Sequence, residues 1–186
     1  MARSRPTRPQ IPNLSKLLTK IEETLRVEID AEAQKLMDAQ SQKFVSQIQR
    51  QDFESFHEYP LSPPYLRRKM RLGADTRVMI ATATYTNGIR VFTKRITGPR
   101  KQYRIGFHWS AKARTLKGEV SPILLHDLGV VQEYGTMKTN LPARPHWRPY
   151  KQQVFAPALQ SWRTSVPMRV LARVRDIYGA AVEIGT

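Results

Sequence analysis

A chain of 186 residues is long enough to bury a sizeable core, and its hydrophobic fraction of 40% is ordinary for a globular protein. It has no cysteine, which excludes disulfides and thiolate metal sites, and no run approaches the roughly 18 apolar residues of a membrane span. The net charge of +16 is unevenly placed: residues 13–58 carry nine acids and six bases, Thr76–Gly118 ten bases and no acid, and Tyr134–Arg175 eight bases and no acid.

A surface of that sign attracts nucleic acid, an anionic membrane or an acidic protein partner. Residues 1–12 hold Pro6, Pro9 and Pro12 among Arg3, Arg5 and Arg8. Proline fixes φ and removes amide donors, so an extended basic arm is expected, with its three arginines as candidate contacts. No apolar stretch follows these bases, so the arm does not read as a secretory signal.

From Asn13 to Tyr59 there is neither glycine nor proline. Leu14, Leu17, Leu18, Ile21 and Leu25 recur at three- and four-residue steps, and Ile29, Ala33, Leu36, Met37, Phe44, Val45 and Ile48 continue the stripe. This spacing predicts one long amphipathic helix over residues 13–51, capped by Asn13 and broken by the prolines after Tyr59. A short basic helix is expected from Tyr65 to Leu72, closed by Gly73.

Residues 77–109 read as a β-hairpin region. Val78–Tyr85 and Ile89–Lys94 flank Asn87-Gly88, the dipeptide that a type I′ turn requires. Gln102–Trp109 follows as a third strand, with Tyr103, Ile105, Phe107 and Trp109 on one face. Two basic loops are expected, Gly98–Lys101 and Ser110–Gly118. Their Arg100, Lys101, Lys112, Arg114 and Lys117 are candidate contacts to DNA or to a neighbouring subunit.

Helices are predicted over 122–134 and 148–178, the second interrupted by Pro157 and restarted at Ser165-Val166-Pro167. Between them runs a proline-bounded connector, Leu141–Pro149. Trp109, Trp147 and Trp162 are expected to anchor the core. The fold class that follows is α+β: a small antiparallel sheet packed against a long N-terminal helix and C-terminal helices. Residues 13–186 are read as one domain.

Catalytic signals are lacking in the sequence. His57, His108, His126 and His146 fall in no metal-ligand spacing, and neither a Gly-rich phosphate loop nor a G-x-S-x-G elbow is present. His126 and Asp127 are adjacent and should point apart on a helix. Glu133 is expected to pair with Arg144 or Arg148. No enzyme activity, catalytic residue, metal or cofactor is expected.

Glu133-Tyr134-Gly135-Thr136, followed by Leu141-Pro142-Ala143-Arg144-Pro145-His146-Trp147-Arg148-Pro149, resembles the tail-completion or neck proteins of tailed bacteriophages, including the Mu-type virion-morphogenesis relatives. Pro60-Leu61-Ser62-Pro63 with Lys69 and Gly73 is similar to the family's upstream segment, and the order fits from about residue 60 to 162. His146 stands where the family usually has phenylalanine.

The resemblance implies a structural subunit of a sixfold or twelvefold ring of identical chains in the virion's head–tail junction, assembled in the host bacterial cytoplasm. Such a subunit caps the tail or joins it to connector, stopper and tail-tube proteins around the DNA channel, with no membrane involved. Alternative readings are a sequence-independent nucleic-acid-binding protein, a head-completion stopper and a baseplate component.

Overall fold

The computed structural model describes residues 14–79, 83–96, 101–137 and 140–183. The fold is α+β, with a long N-terminal helix, two small antiparallel sheets and C-terminal helices. The Asn13 cap, the arm arginines Arg3, Arg5 and Arg8, and Arg100 lie outside the described residues.

Helix α1 (Leu14–Arg50) runs without a break and ends where Gln51 takes a left-handed φ of 62°. The described residues fall into two compact units, one within residues 14–33 and 162–183, the other within residues 34–161. In the larger unit Met37, Gln40, Ser41, Phe44 and Ile48 of α1 are buried, following the three- and four-residue steps of one helical face. Phe53 and Phe56 around α2 (Glu54–Glu58) join the same core. Helix α3 (Pro63–Arg71) has proline in its first turn and ends before Gly73, whose φ is 63°.

The expected Asn-Gly hairpin does not form. Thr84–Gly88 is instead a short helix, α4. Adjacent strand residues face opposite sides of a sheet, but Tyr85 and Thr86 are both buried, which a half-exposed strand cannot provide. Thr86 Oγ1 donates to the carbonyl of Ala83 at 3.0 Å and fastens the turn. The backbone of Val78 is likewise occupied, because the Gln51 side-chain amide donates to its carbonyl at 3.1 Å and accepts from its N–H at 2.8 Å.

The hairpin that does form pairs β1 (Arg90–Arg95) with β2 (Lys101–Gly106), Phe92 facing Arg104 and Arg95 facing Lys101. Ser110–Gly118, expected as a loop, contains β3 (Lys112–Arg114), which pairs with β4 (Val120–Leu124). Gly118, at φ 85°, supplies the left-handed residue of the connecting turn. The β3–β4 register is irregular. Pro122 lies in that strand and lacks an N–H, which an edge strand tolerates. Helix α5 (Leu125–Tyr134) therefore begins three residues later than the sequence suggests.

After the connector come α6 (Trp147–Tyr150), a π-helical turn (Lys151–Phe155) and α7 (Ala156–Glu183). The Ala156 N–H reaches back five residues to the Lys151 carbonyl, so the helix accommodates Pro157 by widening rather than breaking. Ser165–Pro167 starts no new helix; Pro167 sits inside α7, which continues past Gly179.

In the smaller unit the described parts of α1 and α7 pair antiparallel. Trp162 Nε1 donates to the Glu32 carbonyl at 3.3 Å, while Tyr178 and Thr24 share a hydroxyl bond of 2.9 Å. Val166, Val170 and Val174 are buried there against Ile21 and Leu25. Arg173 bridges Glu28 at 2.9 Å and Glu32 at 3.5 Å. Leu18 and Ile29, read from the sequence as part of the stripe, are exposed.

Candidate functional site

The connector carries a dense set of buried polar contacts in the larger unit, and Glu133 is at their centre. This carboxylate is 4% exposed. Its Oε2 accepts the backbone N–H groups of His146 at 2.8 Å and Trp147 at 3.0 Å. Its Oε1 accepts both the Arg148 N–H and the Arg148 guanidinium Nε, each at 3.1 Å. The first amides of a helix have no intrahelical partner, so a residue on α5 caps α6 from thirteen positions upstream. Burial works to raise the carboxyl's pKa, but the amides of His146, Trp147 and Arg148 and the guanidinium outweigh it and hold the pKa below the ordinary value.

The pairing expected for Glu133 is therefore met by Arg148 and not by Arg144. The Arg144 guanidinium is buried elsewhere, donating to the carbonyls of Tyr59 at 2.7 Å and Pro60 at 3.2 Å. Its own N–H donates to the Gln132 carbonyl at 2.6 Å, joining the connector to α5. Burial lowers its pKa, yet an arginine starts high enough to remain a cation. Ser55 Oγ adds a 2.7 Å bond to the Pro145 carbonyl.

His146 is fully buried among Phe44, Phe53 and Phe56, with its ring within about 8° of parallel to that of Phe44. Its Nδ1 lies 2.8 Å from the Arg144 carbonyl, which can only accept, so Nδ1 carries the proton. Nε2 is then an acceptor for the Tyr85 hydroxyl at 2.6 Å. Tyr85 in turn accepts the Trp147 indole N–H at 3.1 Å. Every polar atom of this triad has a partner, and the chain fixes one tautomer. Burial lowers the His146 pKa and raises that of Tyr85 well above the ordinary phenol value. A neutral histidine thus occupies an aromatic slot.

Gly135 turns the chain out of α5 at φ 71° and ψ −176°. A Cβ there would lie 2.7 Å from both the Ala143 nitrogen and the Leu141 carbonyl oxygen. Thr136 and Leu141 exchange backbone bonds of 2.9 and 3.0 Å, closing a small loop. Gly129 allows a second close approach, with the Phe107 ring 3.2 Å from where its Cβ would stand. The motif residues Glu133, Gly135, Pro142, Ala143, Arg144, Pro145, Trp147, Arg148 and Pro149 therefore form one folded elbow. Tyr134 and Arg148 are its exposed members, with the Arg148 guanidinium 5.0 Å above the Tyr134 ring.

Among the candidate basic contacts, Lys112 and Arg114 flank the buried Ala113 and are exposed on one face of β3, with Lys117 exposed in the following turn. Arg114 donates to the Gly118 carbonyl at 2.8 Å. Lys101 belongs to the other sheet, opposite Arg95. Two side-chain expectations are corrected. Trp109 is 77% exposed rather than a core anchor, because the strand ends at Gly106 and the chain turns outward. His126 Nε2 and Asp127 Oδ1 meet at 2.8 Å, since both side chains are free to bend together at the exposed start of α5.

Sequence reasoning missed Tyr85, His146 and Lys69 as buried polar residues. Lys69 Nζ donates to the Arg77 carbonyl at 2.7 Å, and burial lowers its pKa. A lysine in an otherwise basic run carries no mark of burial, but Tyr85 beside a glycine-terminated turn could have been suspected. No protein-family model, no curated protein and no solved structure matches this chain.

Proposed function

We propose that the chain is a structural subunit of a ring at the neck of a tailed phage, a tail-completion or tail-terminator protein that joins tail to connector around the DNA channel. The observation that carries this reading is the elbow. The residues that bear the family resemblance converge around the buried Glu133, Arg144 and His146, with Glu133 engaged by three amides and a guanidinium. A carboxylate so engaged serves as scaffolding; a general base needs a lone pair open to substrate.

The acid-free basic spans supply charge for gripping DNA or an acidic neighbouring ring. Exposed apolar residues on the helix pair, Val27, Met168, Leu171 and Ile177 among them, leave surface for neighbouring copies. The test is negative-stain electron microscopy of the purified protein with sedimentation across salt concentrations. Sixfold or twelvefold rings whose assembly shifts with salt are expected. A monomer at every concentration and salt, incorporated into no larger particle, overturns the reading.

A further inference from the structure

The β1–β2 hairpin has two unlike faces. Val91, Tyr103 and Ile105 are partly buried on one side, whereas Phe92, Lys94 and Arg104 fall on the other by the period of two, Phe92 directly opposite Arg104. That second face borders an open groove of about 800 Å³, closed on its far side by α5 and Arg148. Trp109 stands at its rim with its indole 5.6 Å from the His108 ring, and the Tyr134 ring lies under Arg148.

Apart from Glu133, the formal charges lining the groove are positive. Lys94 and Arg104 are exposed and make no ion pair among the described residues. The one carboxylate in the lining, Glu133, is already engaged by amides and by Arg148. Trp109 is left 77% exposed, and Tyr134, with Arg148 over one face of its ring, is still 63% exposed.

From this geometry we infer that the groove binds single-stranded nucleic acid, with bases stacked on Trp109 and Tyr134 and phosphates held by Lys94, Arg104 and Arg148. Stacking tolerates any sequence, because every base has a π-face, and needs bases that are not already stacked in a duplex. The bases of the groove supply the backbone contacts that give such binding its steep salt dependence. An acidic peptide would use the cations but leave the aromatic faces without a function. The inference does not depend on ring formation: a monomer that binds leaves it standing, and a ring that does not bind overturns it alone.

The test is fluorescence anisotropy of the full chain with a labelled oligothymidylate of about 12 nucleotides, within the span one such surface covers. Trp109→Ala and Arg104→Ala should each weaken binding about tenfold. The double substitution Arg67→Ala/Arg71→Ala removes two exposed bases of α3 outside the groove and should change it less than about threefold. Trp109 is exposed enough that its removal should leave the melting temperature unchanged, which separates lost contact from lost fold. Equal binding by wild type and Trp109→Ala, or equal affinity for duplex DNA or polyglutamate, overturns the proposal.

Discussion

Glu133 Oε2 lies 2.8 Å from the backbone nitrogen of His146, so the end of one helix caps the beginning of another across a proline-bounded elbow. Replacing that carboxylate leaves three amides and a guanidinium without their acceptor in a buried place. Glu133→Ala should lower unfolding free energy by about 3 kcal/mol, and Glu133→Gln, which keeps one acceptor oxygen, by about half as much. Urea unfolding checks this; a loss below about 1 kcal/mol for the alanine variant would show that the cap is incidental.

Acid should weaken the fold in two stages. Burial lowers the His146 pKa, so the unfolded chain binds a proton near its ordinary value of about 6.5 while the folded chain does not. Stability is therefore full above that pH and falls as pH drops below it, until the folded histidine also protonates. The Glu133 pKa is also lowered, so a second loss begins below the ordinary glutamate value of about 4.3 and runs down to the folded pKa. His146→Phe should flatten the slope of stability between about pH 7 and 5. At neutral pH it should cost about 1–3 kcal/mol, because the Tyr85 hydroxyl loses its acceptor. Unfolding curves at several pH values decide it, and an unchanged slope would assign the acid response to other groups.

Two glycines separate backbone strain from crowding. Gly73 and Gly135 both have positive φ, but a Cβ on Gly73 meets nothing within 4 Å, while on Gly135 it strikes backbone atoms at 2.7 Å. Gly73→Ala should cost about 1 kcal/mol and Gly135→Ala at least about 3 kcal/mol, as measured by chemical denaturation. Comparable losses at the two sites would mean that the elbow relaxes easily.

The helix pair should be the weaker of the two units, since among the described residues Val166, Val170 and Val174 make up its buried apolar cluster. Val170→Ala removes two buried carbons and should cost about 2 kcal/mol. That loss should appear in hydrogen exchange as faster exchange of amides in residues 15–33 and 162–183, with those of α5 little changed. Uniform acceleration along the chain would show instead that the units unfold together.

Much of this architecture is legible in the sequence where a period is long enough to read. Helix α1 has many turns, and Met37, Phe44 and Ile48 fall at its buried positions as the spacing requires. The hairpin was misplaced because Asn87-Gly88 is a local signal, and the burial of Tyr85 and Thr86, a property of the whole core, overrode it. Strand β3 covers Lys112–Arg114, too short to display alternation, so the stretch reads as a loop. Within the elbow the charge complement of Glu133 could be read, but its partner could not, because Arg144 and Arg148 both lie on the connector that follows it and only the fold decides which turns back. That Trp109 faces outward instead of anchoring the core is decided by where β2 stops, which its own neighbours in sequence do not reveal.

The elbow also orders events during synthesis. Its buried polar groups take their partners from Tyr59, Tyr85 and Glu133, and Tyr150 Oη reaches back to the Gln40 carbonyl at 2.6 Å. A ribosome must therefore release residues 141–150 before Phe44, Tyr85 or Glu133 can find its final surroundings. Closure over such long sequence separations is entropically slow, so the nascent chain carries its aromatic cluster unsealed until late in translation. Messages truncated ahead of Arg148 should accordingly yield material prone to aggregate or to be degraded, however complete their preceding helices and strands.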